Sequence, residues 1–241
     1  MPEPPSEPPL VHLAIETSQR EGGIALQLDD GRVLERTFPC GGRETDLLVP
    51  SIDALVEEGG IAPSRLELVS VSIGPGSFTG LRIAVSTAKA LARGTGCALV
   101  PVPSAWVVAE RWFHDSGDRG SVLVASAAKG TACWLTRLDR SDDGLVQARP
   151  AGLFTVQPPT EEVMTLCDGA WILADDHAPE GFLEACSGHS RGHDQPGPSA
   201  RACLAAGQQV LARTGPVPAA RLEPLYPREP EAVTLWRKRH S

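Results

Sequence analysis

The sequence lacks the patterns typical of a membrane protein, a metalloprotein or a hydrolase. No apolar run approaches the ~20 residues that span a bilayer. Six cysteines are present, but no two of them form a CxxC pair, so we predict buried, reduced thiols and no zinc site. Neither HExxH nor GxSxG occurs, and these are patterns of zinc proteases and of serine hydrolases. We therefore expect no metal and no cofactor.

Histidines give no further support to a metal site. The only HxxxH spacing, at His189 and His193, lies in a stretch of Gly, Ser and Pro. Two histidines four apart share a face only on a helix, and this stretch has no helical periodicity. We predict a loop at residues 187–199.

An excess of acidic residues limits the partners of this chain. It has 22 basic and 30 acidic residues and a net charge of -8, which opposes wide contact with nucleic-acid phosphates. Nucleic acid would need a partner protein or a local patch, such as Arg237, Lys238 and Arg239 in a basic tail at 229–241. The start, MPEPPSEPPL, contains five prolines and no signal-peptide pattern. We expect a cytoplasmic protein with a disordered tail at residues 1–9.

The order of apolar patterns predicts an α/β protein. Strand-like segments at 10–16, 22–28 and 32–38 form an antiparallel meander, and the Asp30–Gly31 pair is typical of a hairpin turn. A helix follows at 45–58, and a strand, a helix and a strand at 66–73, 81–93 and 97–102 make a βαβ unit. The pattern repeats in shorter form beyond Pro103. We predict a lobe at 10–103 and a reduced second lobe at 104–228.

Residues 74–82, GPGSFTGLR, join a strand to a helix. Glycines at 74, 76 and 80 allow close backbone approach, and the N-terminus of a helix attracts anions, so the block could be a phosphate cradle. The alternative is a tight turn with no ligand. The helix behind it has small, uncharged residues, Ile83, Thr87, Ala90 and Gly94, opposite its predicted core face. Small residues let another helix pack closely; the helix could face a partner or be buried on both sides within its own chain.

Four segments carry a family resemblance: LAIETS, ETDLLVPSIDALV, SIGPGSFTGLRIAVSTAKALA and LEPLYPREPEAV. Together they resemble the bacterial TsaB (YeaZ) family over nearly the whole folded chain. The resemblance implies a two-lobed fold of the class of actin, the 70-kDa heat-shock chaperones and sugar kinases. It also implies a complex with the paralogue TsaD and the ATPase TsaE. That complex transfers a threonylcarbamoyl group to N6 of the adenosine beside the anticodon of ANN-decoding tRNAs.

Within this resemblance, the positions that bind phosphate or metal in working relatives are degenerate. Glu16 occupies the acidic position, but Thr17 follows and glycine arrives only at 22. The equivalent turn of the second lobe has Ser126 and no carboxylate nearby in sequence, and Thr45 and Val49 stand where TsaD-like relatives have metal-binding histidines. Magnesium nucleotides need oxygen ligands, so the resemblance implies a noncatalytic, structural subunit.

The docking surface for TsaD is predicted on the helix after the glycine block. Its predicted residues are Ser77, Phe78, Thr79, Arg82, Ile83, Thr87 and Ala90. Two alternatives stay open: a small-molecule kinase or ATPase of the actin-like superfamily, and a self-associating regulatory protein that uses the same helix in a homodimer.

Overall fold

The computed structural model describes residues 10–40, 47–142, 144–149, 151–227 and 236. The predicted tail at 1–9, Thr45, and the basic residues Arg237, Lys238 and Arg239 lie outside the described residues. No helix in the described part of the chain is both long and apolar enough to cross a membrane.

The described chain forms eleven strands and six helices, numbered here in chain order. The strands are β1 His12–Glu16, β2 Glu21–Gln27, β3 Val33–Pro39, β4 Leu68–Gly74, β5 Ala98–Pro103, β6 Ser121–Ala127, β7 Ala132–Ser141, β8 Gly144–Gln147, β9 Gly152–Thr155, β10 Ala170–Ala174 and β11 Gly192–Asp194. The helices are α1 Leu48–Glu58, α2 Phe78–Thr95, α3 Ser104–Ser116, α4 Glu161–Cys167, α5 Glu180–Cys186 and α6 Ala200–Thr214. A 3-10 turn lies at Pro63–Arg65 and another at Ala219–Arg221.

The first sheet has the strand order β3-β2-β1-β4-β5. β1, β2 and β3 pair antiparallel, whereas β4 is parallel to both β1 and β5. The predicted meander followed by a βαβ unit is confirmed. Alternate residues of a strand point to opposite faces; Leu13 and Ile15 of β1 belong to one core cluster with α1 and α2.

The other face of this sheet is covered by α6 and α3. Helix α6 packs on β1, β5 and β2, and it also packs on α3. His12 of β1 bonds through Nε2 to the Ser70 hydroxyl of β4 at 2.7 Å, and Gly207 of α6 lies directly above Ser70. Both faces of the sheet are therefore buried.

The second sheet has the order β11-β10-β6-β7-β8, and β9 also pairs with β7. Its core includes Leu123, Val163, Ile172 and Phe182. The prediction of a loop throughout 187–199 is wrong at β11, where Gly192, His193 and Asp194 pair in parallel with β10. Such a short strand has too few residues to show a period of its own.

The chain divides into two compact units. One runs to Ser116 and includes Gly197–Pro224; the other contains Gly117–Pro196 and the residues from Leu225. These ranges differ from the predicted lobes because α3 and α6 both pack on the first sheet. Helix α6 returns to the first unit from the far end of the sequence, and local patterns carry no sign of such a return.

Candidate functional site: the glycine loop, helix α2 and Glu16

The glycines of GPGSFTGLR make room for the chain's own β1–β2 turn. A Cβ atom on Gly76 would lie 2.3 Å from the carbonyl oxygen of Ser18, and one on Gly80 would lie 2.3 Å from that of Thr17. Gly74 also has a φ of 107°, which side chains disfavour. Close backbone approach therefore explains glycine at positions 76 and 80, and backbone conformation explains it at position 74.

Backbone groups of this loop are bonded within the protein. The Ser77 amide donates to the Ser18 carbonyl at 2.7 Å, and the Thr17 hydroxyl donates to the Gly80 carbonyl at 2.9 Å. Ser77 is the N-cap of α2, and its hydroxyl accepts from the Gly80 amide at 3.3 Å. The amides of Ser77 and Gly80 are thus occupied without a ligand, which favours the tight-turn interpretation.

Helix α2 is longer than the sequence predicted. It begins at Phe78 and ends at Thr95, and Gly96 closes it with a φ of 81°, whereas the prediction ended it at Gly94. Ser77 caps the helix, so it begins at Phe78, three residues before the predicted start at Leu81. The left-handed conformation at Gly96 stops it, as is common at helix C-termini.

The two faces of α2 have different environments. Gly80, Leu81, Ala84, Val85 and Ala88 are buried against the sheet. Ala90 and Gly94 are exposed, and Thr87 is half-buried. Ile83 is half-buried and packs on the core cluster. Its side chain therefore contributes to the core and is only partly available to a partner.

Residues at the start of α2 separate into a cap and a surface pair. Ser77 is half-buried because it caps the helix. Phe78 is 50% exposed, and the Arg82 guanidinium lies 3.7 Å from the centroid of its ring. Thr79 is exposed beside them. This stacking holds an aromatic ring and a cation together on the surface, an arrangement that stabilises both.

Glu16, the last residue of β1, is only 1% exposed. Its Oε1 accepts from the Ser18 amide at 2.6 Å. Burial raises the pKa of this carboxyl, while its interactions with Ser18 and Ser72 lower it. Burial and the nearby Glu16 charge also raise the pKa of the Cys40 thiol to about 11 and that of Cys203 well above its ordinary value. Both thiols are therefore neutral and poorly nucleophilic.

Ser126 lies in β6, opposite Trp134 of β7. This turn has no carboxylate of its own, but one from a distant segment lies beside it. Asp175 follows β10, the parallel neighbour of β6, and its Oδ2 accepts from the Ala127 amide at 2.6 Å. Its Oδ1 accepts from the His177 amide at 3.0 Å. The missed signal was the alignment of the β6 and β10 carboxyl ends, which brings together residues 48 apart in sequence.

The described residues contain no group of three or more His, Cys, Asp or Glu side chains that could hold a metal ion. His193 lies on β11, and His189 lies in the turn after α5. Their HxxxH spacing thus falls outside any described helix.

The strand order of the first sheet, an antiparallel meander continued by βαβ, and the division into two α/β units define a protein of the actin-like fold class. The structure of YeaZ from Pseudomonas aeruginosa superposes with a TM-score of 0.75 at 21% identity, covering 89% of this chain and 98% of that protein.

Sequence comparison then specifies the family. The chain is 33% identical over 171 residues to the tRNA threonylcarbamoyladenosine biosynthesis protein TsaB of Bacillus subtilis, which is 71% of this chain and 69% of that protein. It is 24% identical over 160 residues to TsaB of Escherichia coli, covering 66% of this chain and 68% of that protein. Residues 44–149 match the family described as TsaD, tRNA N6-adenosine threonylcarbamoyltransferase. This chain belongs to the TsaB family.

Proposed function

We propose that this chain is a noncatalytic, structural subunit of a cytoplasmic complex that makes threonylcarbamoyladenosine in tRNA, and that the outer face of α2 docks a TsaD paralogue. The biosynthetic role follows the names of its relatives. The match of residues 44–149 to the TsaD family indicates kinship with the proposed partner. An interface suited to a paralogue can also pair with a second copy of the same chain, so the same face would serve self-association.

The row of short side chains at Thr87, Ala90 and Gly94 of α2, with Arg82 and Arg93 exposed beside it, is the observation that carries the docking proposal. Thr87, Ala90 and Gly94 project no long side chain, so a partner helix can come close. Helices α1 and α2 contribute to the same core cluster. Each has an exposed apolar residue in its first turn, Val49 in α1 and Phe78 in α2, and these are 53% and 50% exposed. Exposed apolar side chains beside a helix face that a partner can approach closely favour a protein interface on this side of the sheet.

The environments of Glu16 and Asp175 support the noncatalytic assignment. Glu16 is buried and bonded to the Ser18 amide, and both oxygens of Asp175 accept from backbone amides. Phosphoryl transfer needs oxygen ligands that hold a metal against a nucleotide. ATP hydrolysis would then belong to TsaE, and the net charge of -8 favours contact with tRNA through the complex.

Arginine substitutions on α2 test the docking surface. We expect Thr87→Arg and Ala90→Arg to leave the melting temperature of the single chain nearly unchanged, since surface changes alter stability by about 0.5 kcal/mol or less. Each should weaken TsaD binding by ~10²-fold, because an unpaired charge at a packed interface costs several kcal/mol. Ala212→Arg is the matched control, because Ala212 is exposed on α6, and it should bind normally. Normal TsaD binding by both α2 variants would refute this surface.

Reconstitution tests the functional assignment itself. The purified chain should neither hydrolyse ATP nor modify tRNA alone, whereas the chain co-purified with TsaD and TsaE should support modification. Magnesium-dependent turnover by the isolated chain that is lost in Glu16→Ala would instead identify it as a kinase or ATPase.

A further inference from the structure

A cavity of about 540 Å³ lies in the first unit, on the side of the sheet that α3 and α6 cover. Its walls come from β1 to β3, the second half of α3 and the start of α6. Five carboxylates line it: Glu16, Glu21, Glu35, Glu110 and Asp115. Three basic residues, Arg111, His114 and Arg201, line it as well. Its volume falls within the range of small-molecule sites.

Charge pairing leaves this cavity with an acidic interior. Arg201 is 3.5 Å from Glu35, and Arg111 is 3.5 Å from Asp115. His114 also lies 3.0 Å from Asp115. The basic side chains that line the cavity are therefore already matched with carboxylates of the same cavity. An anionic ligand would have to compete with these carboxylates for the arginines.

Glu16 is the independent observation that points to a ligand. It lines the cavity, and its Oε2 is buried and accepts no hydrogen bond of good geometry among the described residues, although the Ser18 and Ser72 side chains lie close enough to lower the pKa of the carboxyl. A buried carboxyl oxygen without a partner is costly, and a charged donor offsets that cost best. The described residues hold no cluster of three metal-binding side chains, so the chemistry fits an organic cation rather than a metal ion.

We propose that this cavity binds a small organic cation, with an ammonium or guanidinium group bonded to Oε2 of Glu16. The volume leaves room for a short chain behind that group, and the carboxylates nearer the surface would favour a second positive charge. The site is separate from the outer face of α2.

Several titratable groups surround Glu16. They are Cys40 after β3, Cys203 and Arg201 on α6, Glu21 and Glu35 on β2 and β3, and Glu110, Arg111, His114 and Asp115 on α3. The two thiols are neutral because their pKa values are raised. Burial also raises the pKa of Glu16, whereas a bound cation would favour the charged carboxylate and lower that pKa again. Binding should therefore not weaken as pH rises, and it should tighten wherever Glu16 titrates.

Calorimetric titration with agmatine, a guanidinium and ammonium compound, tests the site. Wild type and Glu57→Gln, a control on the exposed end of α1, should bind agmatine equally. Glu16→Gln should bind about ten-fold more weakly or worse, and glutarate should not bind. Ala90→Arg should bind agmatine as wild type does, whatever becomes of its TsaD binding.

Two further measurements keep the test decisive if Glu16→Gln folds poorly. Ala205→Phe should fill the cavity from α6, where Ala205 is one of its lining residues, and weaken agmatine binding to a similar extent. Titrations of wild type at a series of pH values should show an affinity for agmatine that is retained or increases as pH rises. Absence of agmatine binding at about 10 mM, equal binding to Glu16→Gln or Ala205→Phe, equal binding of glutarate, or an affinity for agmatine that falls as pH rises would each overturn the proposal.

Discussion

The two faces of the first sheet are both buried, but different interactions stabilise them. Toward α1 and α2, the strands present Leu13, Ile15, Val69 and Val71. Burial of such side chains is favourable in many geometries, since the hydrophobic effect has no direction. That face needs apolar residues of suitable volume and little else.

The face toward α3 and α6 depends on individual partners. His12 bonds to Ser70 at 2.7 Å, and the hydroxyls of Ser72 and Ser104 are 2.9 Å apart. Nδ1 of His12 and Oε2 of Glu16 have no partner among the described residues. Buried polar groups stabilise a fold only when they are satisfied. Apolar burial therefore stabilises one face of this sheet, whereas the groups whose protonation changes its stability lie on the other face.

The largest effect should come from closing the space between α6 and the sheet. A Cβ atom on Gly207 would lie 2.0 Å from Oγ and 2.6 Å from Cβ of Ser70, so Gly207→Ala should destabilise the protein by about 3 kcal/mol in urea unfolding. Gly94→Ala is the control, since a Cβ there meets no atom within 4 Å; it should be neutral or stabilising by up to ~1 kcal/mol. Equal stability of the two variants would show that α6 packs less tightly than described.

Protonation of His12 should disrupt the hydrogen bond to Ser70, with an effect on stability that is no larger and that is confined to low pH. Burial lowers the pKa of His12 from 6.5 to about 4, so its contribution is complete above pH 6.5 and is lost as pH falls toward 4. As pH falls, the unfolded chain binds the proton before the folded chain does. The free energy of unfolding should therefore decrease by on the order of 3 kcal/mol. Urea unfolding at a series of pH values measures it, and His12→Gln should lack this component. Parallel pH profiles for the two proteins would contradict the assignment.

Glu16 should show the opposite pH dependence and the smallest effect. Because burial raises its pKa, its contribution is complete below its ordinary pKa of 4.5 and is lost as pH rises. Glu16→Gln should therefore melt about 2–4 °C above wild type at pH 8 in the absence of any ligand, and the difference should vanish near pH 4. A variant that is less stable than wild type at pH 8 would mean that the charged carboxylate has a partner.

Local patterns predicted the elements with strong periodicity. The meander, α1, β4 and α2 were found within a few residues of their observed bounds, because each has its own apolar period and turn signals. Strands β8, β9 and β11 and helices α4 and α5 were missed. These elements span three to seven residues, and pairing or packing with distant segments decides whether they form.

The same limit applies to the candidate sites. The outer face of α2 could be predicted because helical spacing fixes which residues share a face. Its role as a docking surface remains a prediction. The cavity beside Glu16 could not be predicted, because its walls join residues from 16 to 205. The residues near Glu16 in sequence do not indicate that Arg201 pairs with Glu35 and Arg111 with Asp115, rather than either of them with Glu16.

The sequence by itself determined the glycine loop and the core face of α2, since both depend on residues close together along the chain, and it determined the family through four short motifs in order. Only the tertiary structure decided what the glycines hold and what covers the second face of the first sheet. Gly76 and Gly80 accommodate Ser18 and Thr17, more than fifty residues away in sequence, and α6 crosses back to bury His12 and Glu16. Long-range packing sets the electrostatic environment of these two residues, because desolvation depends on every segment that surrounds a group.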